Sequence, residues 1–199
     1  MIPAHELTGL ILAGGEGRRM GGRDKGLEPF AGCPLVAHVG QRFSGQVAEL
    51  LISANRHTDT YRLYADRVIE DHCAGFNGPL MGLYAGLCAA STPWLLVAPC
   101  DTPALPMDLA ARLTAGIGAA DVAVAHDGER AHPVVALLHT RLAPALRRAL
   151  DAGERSVAGF YAGQRVATIN MADCPAGLTN VNTPDDRARL EATLAREAS

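Results

Sequence analysis

The sequence predicts a three-layer α/β/α fold, in which helices cover both faces of a mostly parallel β-sheet. Six short apolar runs alternate along the chain with segments of helical periodicity, and this is the pattern of repeated βαβ units. Most of the runs are continuously apolar, as expected for strands that are buried on both faces of a parallel sheet. A length of 199 residues suits one domain of this Rossmann-like kind.

The predicted strands are short apolar runs bounded by polar or turn residues. They cover 7–13, 47–54, 67–70, 94–99, 121–125 and 132–138. The helical segments between and after them cover 34–43, 58–65, 79–91, 106–116, 140–151 and 155–162. A last helix should close the fold, because Thr183 is a good N-cap and Pro184 suits the first helical position. Asp185 and Asp186 then lie at the positive end of the helix dipole.

The segment 79–91 has the clearest helical pattern. Its large apolar residues recur at helical spacing, and they are Leu80, Leu83, Tyr84, Leu87 and Cys88. Small residues recur every four positions, and they are Gly78, Gly82, Gly86 and Ala90. A helix face with almost no side chains, which we call its bare side, indicates either tight packing on the sheet or the approach of a ligand at the N-terminal end of the helix.

Composition limits the function classes. The net charge is −3, 48% of residues are hydrophobic and 20% are charged, so we expect an ordinary globular protein without a broad surface for nucleic acid. No apolar run approaches the ~20 residues of a membrane helix, and no signal peptide is visible, which predicts a cytoplasmic protein. Five cysteines without a C-x-x-C pair indicate reduced thiols.

A glycine-rich stretch, LILAGGEGRRMGGRDKG at 10–26, follows the first strand. It does not match the dinucleotide fingerprint, because Met20 stands where the third glycine belongs. It does not match the ATPase loop either, because Lys25 follows Asp24 and precedes Gly26. The stretch therefore requires a different explanation.

Backbone amides and cations are concentrated in this loop. The amides come from Gly14, Gly15 and Gly17, and the cations are Arg18, Arg19 and Lys25. Such donors at a strand end suit a polyanion such as a triphosphate. The alternative is a solvated turn whose arginines face water.

Two aspartates follow predicted strands. Ligands of an open α/β sheet bind outside the carboxyl ends of the strands, so Asp71 and Asp101 should lie at the same edge as the glycine loop. Asp101 follows a strongly apolar strand and needs a partner for its charge, for which Mg²⁺ is the natural candidate. Asp71 is predicted to contact the base or ribose of a nucleotide, or else to cap a loop.

The histidines and serines suggest no metal site and no catalytic triad. His57, His72, His126 and His132 lack metal-ligand spacing, and no Ser/His/Asp set is forced together by the order of elements. His132, at the start of a strand, is expected to have a surface or structural role.

The chain resembles the bacterial molybdenum cofactor guanylyltransferases, which are similar to the nucleotide-diphospho-sugar transferases in fold. The resemblance covers nearly the whole chain. Its motifs here are LAGGEGRRMGGRDKG, VIEDH, GPLMG, APCDTP, DGERAHPVVALL and NVNTPDD. The glycine loop alone is shared with sugar-phosphate and cytidylyl transferases, whereas MGGxDKG, CDTP and NVNTP are more specific.

The resemblance implies that GMP is transferred from GTP to molybdopterin carrying molybdenum, with Mg²⁺, and that pyrophosphate is released. It implies catalytic roles for Lys25, Asp101 and Arg19, with Asp101 holding the metal. The positions implied to bind the nucleotide or the pterin are Leu12, Ala13, Gly14, Gly15, Lys25, Ser53, Asp71, Asp101, Asn180 and Asn182. Of these, Asn180 and Asn182 are implied on the pterin side, where Arg155 would meet the pterin phosphate.

The same resemblance divides the single domain, 1–199, into a nucleotide-binding part at 1–105 and an acceptor part at 106–199. Ser53 stands where some relatives have asparagine, and a serine there can supply one hydrogen bond to the base. Molybdoenzyme chaperones are implied as further partners. The alternatives are another nucleotidyltransferase, acting with CTP or on a sugar 1-phosphate, and a GTP-binding module without chemistry.

Overall fold

The computed structural model describes residues 1–14, 24–70, 78–174 and 176–197. The strands within these residues are β1 (Leu7–Leu12), β2 (Pro29–Phe30), β3 (Cys33–Pro34), β4 (Glu49–Ser53), β5 (Arg67–Ile69), β6 (Trp94–Pro99), β7 (Val122–His126), β8 (Ala131–His139) and β9 (Val166–Asn170). The α-helices are α1 (Leu35–Phe43), α2 (Thr58–Tyr61), α3 (Pro79–Ala89), α4 (Leu109–Gly116), α5 (Ala143–Asp151), α6 (Val157–Ala162) and α7 (Pro184–Glu197). All six predicted strands and all seven predicted helices are confirmed, with ends that differ by at most four residues from the predicted ones.

Seven of the strands form one sheet in the order β5-β4-β1-β6-β8-β7-β9. All neighbours are parallel except at β8, which runs antiparallel to both β6 and β7. The loop 127–130 between β7 and β8 is too short for a crossover helix, so these two strands form a hairpin. The prediction of a mostly parallel sheet is confirmed.

The sequence analysis did not predict the edge strand β9 or the small β2–β3 ribbon. In β9 the side chains alternate between exposed and half-buried, and Val166 is among the exposed large apolar residues. An edge strand covered on one side lacks the continuous apolar run by which the other strands were recognised. The β2–β3 ribbon has only two residues per strand, which is too short for any pattern.

The side chains of the sheet pack into two separate hydrophobic cores. In β1, Leu7 and Ile11 pack into the core beneath α1 and α4, whereas Leu10 and Leu12 pack into the core beneath α3, α5 and α6. Two cores on opposite faces of one sheet confirm the three-layer architecture. In the described part of the chain, no helix combines the length and the apolar character needed to cross a membrane.

The bare side of α3 packs on the sheet. A Cβ at Gly86 would overlap the side chain of Leu10, and one at Gly82 would lie 2.8 Å from the Ser53 hydroxyl oxygen and 2.9 Å from a Leu12 methyl carbon. Tight helix-on-sheet packing therefore explains these two glycines. Around Gly78, which has a φ of 127°, a Cβ would meet open space instead.

A third, smaller core attaches the C-terminal helix to the segment that follows the glycine loop. It contains Phe30, Leu35, Ala104, Val181 and Leu190. The carboxylate of Glu191 in α7 also accepts a hydrogen bond from the backbone N–H of Ala31, at 2.8 Å. Helix α7 is thus anchored beside the residues that lead out of the loop.

An ion-pair cluster at the start of β7 should contribute to stability above pH 4. The side chains of Arg165 and Arg141 both donate to the carboxylate of Asp121, and these bonds lower the pKa of Asp121 to about 2. A carboxyl group with a depressed folded-state pKa stabilises the fold above its unfolded pKa of about 4. That stabilisation is lost as the pH falls from about 4 towards 2.

Asp121→Asn is therefore expected to lower the free energy of unfolding at about pH 7 by about 1–2 kcal/mol. This is less than the full pKa shift would give, because both arginines are half exposed and solvent screens the ion pairs. Urea denaturation across the acid range measures this. Asp59→Asn, at an exposed pair with Arg62, is the control and should have almost no effect. A difference between wild type and Asp121→Asn that stays constant down to pH 2 would contradict the linkage.

Candidate active site

The carboxyl ends of four parallel strands form one edge of the sheet. Leu12 pairs with Ser53 on one side and with Pro99 on the other, and Ser53 pairs in turn with Ile69. The segments that follow these residues therefore begin side by side. This confirms that the start of the glycine loop and the segment containing Asp101 share an edge.

Asp101 is held rigidly at this edge. The preceding residue, Cys100, donates its backbone N–H to the Leu12 carbonyl at 3.0 Å, and the carbonyl of Asp101 accepts from the Val181 N–H at 2.8 Å. Only 9% of Asp101 is exposed. The carboxylate of Asp101 thus has a fixed backbone on both sides and little contact with water.

Lys25 and two asparagines surround this carboxylate. Asn180 donates its side-chain N–H to Asp101 Oδ1 at 2.8 Å. The ammonium group of Lys25 donates to Asp101 Oδ2 and to Asn182 Oδ1. We call these four residues, Lys25, Asp101, Asn180 and Asn182, the lysine–aspartate cluster.

The asparagines are positioned by the capped start of α7. The Thr183 hydroxyl accepts the Asp186 N–H at 3.1 Å, and the Asp186 carboxylate accepts the N–H groups of Thr183 and Asn182 at 3.0 and 3.2 Å. This reciprocal cap confirms Thr183 as the N-cap. The cap also holds Asn182 directly above Lys25.

Lys25 is the first residue of a short 3-10 helix, Lys25–Leu27. Tyr61 anchors the start of this helix to the core. The fully buried Tyr61 donates its hydroxyl to the carboxylate of Asp24. Burial, and then the bond to Asp24, raise the pKa of Tyr61 above its usual value, so the hydroxyl remains a donor. Sequence analysis missed this pair, because nothing in the sequence links positions 24 and 61.

Gly26 has no room for a side chain, since a Cβ there would overlap the Tyr61 hydroxyl. Gly26→Ala is expected to displace Tyr61 or the 3-10 helix, and to lower the free energy of unfolding by about 1–3 kcal/mol. The displacement should also reduce activity, because Lys25 is the adjacent residue. Chemical denaturation and steady-state kinetics measure the two effects.

Gly163→Ala is the matched control for Gly26→Ala. A Cβ at Gly163 would have its nearest contact at 3.9 Å, with the Phe160 carbonyl, and its φ is −94°. We expect its unfolding free energy to stay within about 0.5 kcal/mol of wild type. Equal behaviour of the two variants would show that the contact with Tyr61 is unimportant.

The other predicted nucleotide-binding positions lie along the same edge. Leu12 and Ser53 are buried, Ala13 is half-buried and Gly14 is exposed. The Ser53 hydroxyl faces Gly82 of α3 rather than open space, so its predicted contact with a base would need a shift of the side chain. Gly15, Arg18, Arg19 and Asp71 lie outside the described residues.

Two further predictions concern Arg155 and His132. The guanidinium group of Arg155 donates to the carbonyls of Leu150 and Glu154 at 3.2 and 2.8 Å. His132 lies in the interior, with Nε2 2.6 Å from Asp127 Oδ2, and this bond holds the pKa of Asp127 below its usual range. The contact fits the structural role predicted for His132, and the surface role is wrong.

The cluster can hold a hard cation. Among the described residues, no three His, Cys, Asp or Glu side chains gather into a metal site. Asp101 and Asn182 direct oxygen atoms at the one ammonium group, and such oxygens are also ligands for Mg²⁺. One carboxylate with phosphate oxygens is a usual arrangement for this ion.

The thiol beside the cluster, that of Cys100, is not an activated nucleophile. Cys100 is fully buried, and burial together with the neighbouring Asp101 raises the pKa of its thiol to about 12. The thiol is therefore neutral at physiological pH. The described residues at this edge supply a carboxylate, an ammonium group and backbone amides, and the ammonium group and the amides can bind and orient anions.

Residues 9–166 match the MobA-like NTP transferase domain. The chain belongs to this family. It is therefore a nucleotidyltransferase, and the module without chemistry is excluded. The molybdenum cofactor guanylyltransferase of Shewanella amazonensis is 44% identical over 192 residues, which is 96% of this chain and 98% of that protein. The resemblance drawn from the sequence is thus confirmed.

Solved structures confirm the fold of this MobA-like enzyme. The molybdopterin-guanine dinucleotide biosynthesis protein A of Archaeoglobus fulgidus superposes with a TM-score of 0.76 at 22% identity, covering 95% of this chain and 99% of that one. A 2-C-methyl-D-erythritol 4-phosphate cytidylyltransferase from Thermus thermophilus gives 0.70 at 20% identity, covering 94% and 98%. Since the second uses another nucleotide, the fold alone does not select guanine.

Proposed function

We propose that this enzyme transfers GMP from GTP to molybdopterin carrying molybdenum, giving the guanine dinucleotide form of the cofactor and pyrophosphate. The observation that carries the proposal is the lysine–aspartate cluster, which lies at the same sheet edge as the start of the glycine loop. The choice of guanine and of the pterin rests on the curated relatives, which bear the name of this activity.

In this reaction an oxygen of the acceptor phosphate forms a bond to the α-phosphorus of GTP. The bond from that phosphorus to the bridging oxygen of the β-phosphate breaks, and pyrophosphate leaves with the electron pair. Both reactants are anions, so the barrier is lowered mainly by positioning and by stabilising negative charge. No covalent intermediate with the protein is required.

Each residue of the cluster has a role in this scheme. Lys25 would bind a phosphate oxygen through its three rotatable N–H donors, and Asn180 would hold the Asp101 carboxylate in place. Asp101 would hold Mg²⁺, which when bound neutralises phosphate charge. The backbone from Leu12 to Gly14, as it leaves β1, would border the nucleotide.

The acceptor side is proposed to include Asn182 and the C-terminal segment. Asn182 reaches Lys25 from the C-terminal segment, so a pterin phosphate bound near Asn182 would lie beside the nucleotide phosphates. Arg19, Asp71 and Arg155 keep the roles that the resemblance implies as predictions. Molybdoenzyme chaperones and a cytoplasmic location likewise stay predictions.

Incubation of the enzyme with molybdopterin carrying molybdenum, Mg²⁺ and each of the four nucleoside triphosphates in turn tests the proposal. We expect pyrophosphate release with GTP, and mass spectrometry should detect the guanine dinucleotide. Turnover with CTP and not with GTP would favour the cytidylyl alternative. Turnover with GTP on a sugar 1-phosphate, and not on the pterin, would replace the acceptor.

A further inference from the structure

Lys25 is the only lysine of the chain, whose other 17 basic residues, apart from the histidines, are arginines. Its ammonium group contacts Asp101 Oδ2, while the side chain of Asn180 donates a hydrogen bond to Oδ1. Both oxygens of the predicted metal ligand therefore have a partner already. A divalent cation that bound Oδ2 would come directly against the positive charge of Lys25.

We propose that Lys25 is the exchangeable counter-ion of Asp101: without substrate, Lys25 and a divalent cation compete for Oδ2, and a polyphosphate relieves the competition by binding Lys25. This inference rests on the proposed function, because it takes Asp101 as the metal ligand. It adds that the cation and the nucleotide bind in a coupled manner.

Charge and exposure support the exchange. Two cations on one carboxylate oxygen repel each other, and the repulsion is screened little at a carboxylate whose side chain is only 12% exposed. The Lys25 side chain is 27% exposed, so it has solvent on one side through which to move. Phosphate oxygens would then give the ammonium group an anionic partner to replace Asp101.

A lysine suits this role better than an arginine. The ammonium group is a compact charge on a flexible four-carbon stem, and its three donors rotate to fit new acceptors. A guanidinium group is planar and binds carboxylates through two parallel bonds, which would make release from Asp101 harder. The single lysine in an arginine-rich chain agrees with a need for exchange at this position.

Coupled binding follows from the competition. If a polyphosphate removes Lys25 from Oδ2, it raises the affinity for the cation, and by thermodynamic reciprocity the cation raises the affinity for the polyphosphate by the same factor. The cation alone should bind weakly. The carboxylate of Asp101 is never left without a positive partner in either state.

Binding of Mn²⁺, a paramagnetic substitute for Mg²⁺, tests the competition in the absence of any nucleotide. Electron paramagnetic resonance should show that Lys25→Met binds Mn²⁺ about 5- to 10-fold more tightly than wild type. Arg62→Met is the control, because it removes one positive charge from an exposed pair at the C-terminal end of α2. It should bind Mn²⁺ as wild type does, and equal affinities of Lys25→Met and wild type would overturn the proposal.

A second measurement uses the wild-type chain, so it does not depend on the folding of a variant. Protein labelled with ¹³C at the lysine Cε has one lysine signal, from Lys25. Inorganic tripolyphosphate should lower the Mg²⁺ concentration needed to shift this signal about 5- to 10-fold. A signal that does not respond to Mg²⁺ and tripolyphosphate together would also overturn the proposal.

These probes contain neither guanine nor pterin. A failure of the exchange would therefore leave the proposed reaction open, whereas a failure of GTP turnover would leave the Mn²⁺ result standing.

Discussion

Asp101→Asn is expected to lower kcat about 10²- to 10³-fold, because the lysine–aspartate cluster loses its carboxylate. The side chain keeps its shape, and the amide oxygen can still accept the Asn180 N–H, so the fold should be unchanged. The amide N–H₂ would face the Lys25 ammonium group as a second donor, which leaves Lys25 without its anionic partner. Pyrophosphate release measures the rate, and circular dichroism checks the fold.

Glu49→Gln is the matched control, because it also replaces a carboxylate by an amide. Glu49 begins β4, at the opposite end of the strand from Ser53, and its carboxylate binds Arg67 and Ser91. Its kcat should match wild type. If Asp101→Asn kept more than about a tenth of the wild-type kcat, the carboxylate would not be the main electrostatic group of the site.

The sequence was sufficient to predict the buried strands, but it was insufficient to predict the exposed edge strand β9. Strands such as β1 and β6 are buried on both faces, so their sequences are mostly apolar and their presence could be recognised. The strand β9 is exposed along one side and has no such run. Its existence depends on pairing with β7, which is a tertiary contact.

The candidate site shows the same division. That Asp101 lies at the edge of the sheet followed from its place after an apolar strand. No local pattern indicated that Lys25 contacts Asp101, which is 76 positions away in the sequence, or Asn182, which is 157 positions away. Those contacts are tertiary, and the resemblance indicated only that the asparagines belong to a binding site.

The prediction of a single domain with two functional parts is not tested by these contacts, but they bear on its interpretation. Asn180 and Asn182 come from the part assigned to the acceptor, yet both contact residues of the part assigned to the nucleotide. In the proposed reaction, a segment that contacts both parts would bring two phosphates together. This arrangement is what transfer between two anions requires.

Lys25→Arg should lower kcat about 10²-fold, nearly as much as Lys25→Met, although it keeps the positive charge. The ammonium group fits between Asp101 Oδ2 and Asn182 Oδ1, two acceptors that belong to different segments. A planar guanidinium group has its donors in a fixed fork and cannot take the same place without moving the backbone of the 3-10 helix. That backbone is constrained by the contact of Gly26 with Tyr61.

Steady-state kinetics with GTP as the varied substrate measures this effect, and thermal unfolding checks that the variant folds. Arg62→Lys makes the reverse exchange just after α2, where the pair with Asp59 is exposed, and should leave kcat and KM unchanged. A rate for Lys25→Arg within about threefold of wild type would show that the site needs only a charge. A large loss in Lys25→Arg, with Arg62→Lys unaffected, would show that the site needs the compact shape and mobility of the ammonium group.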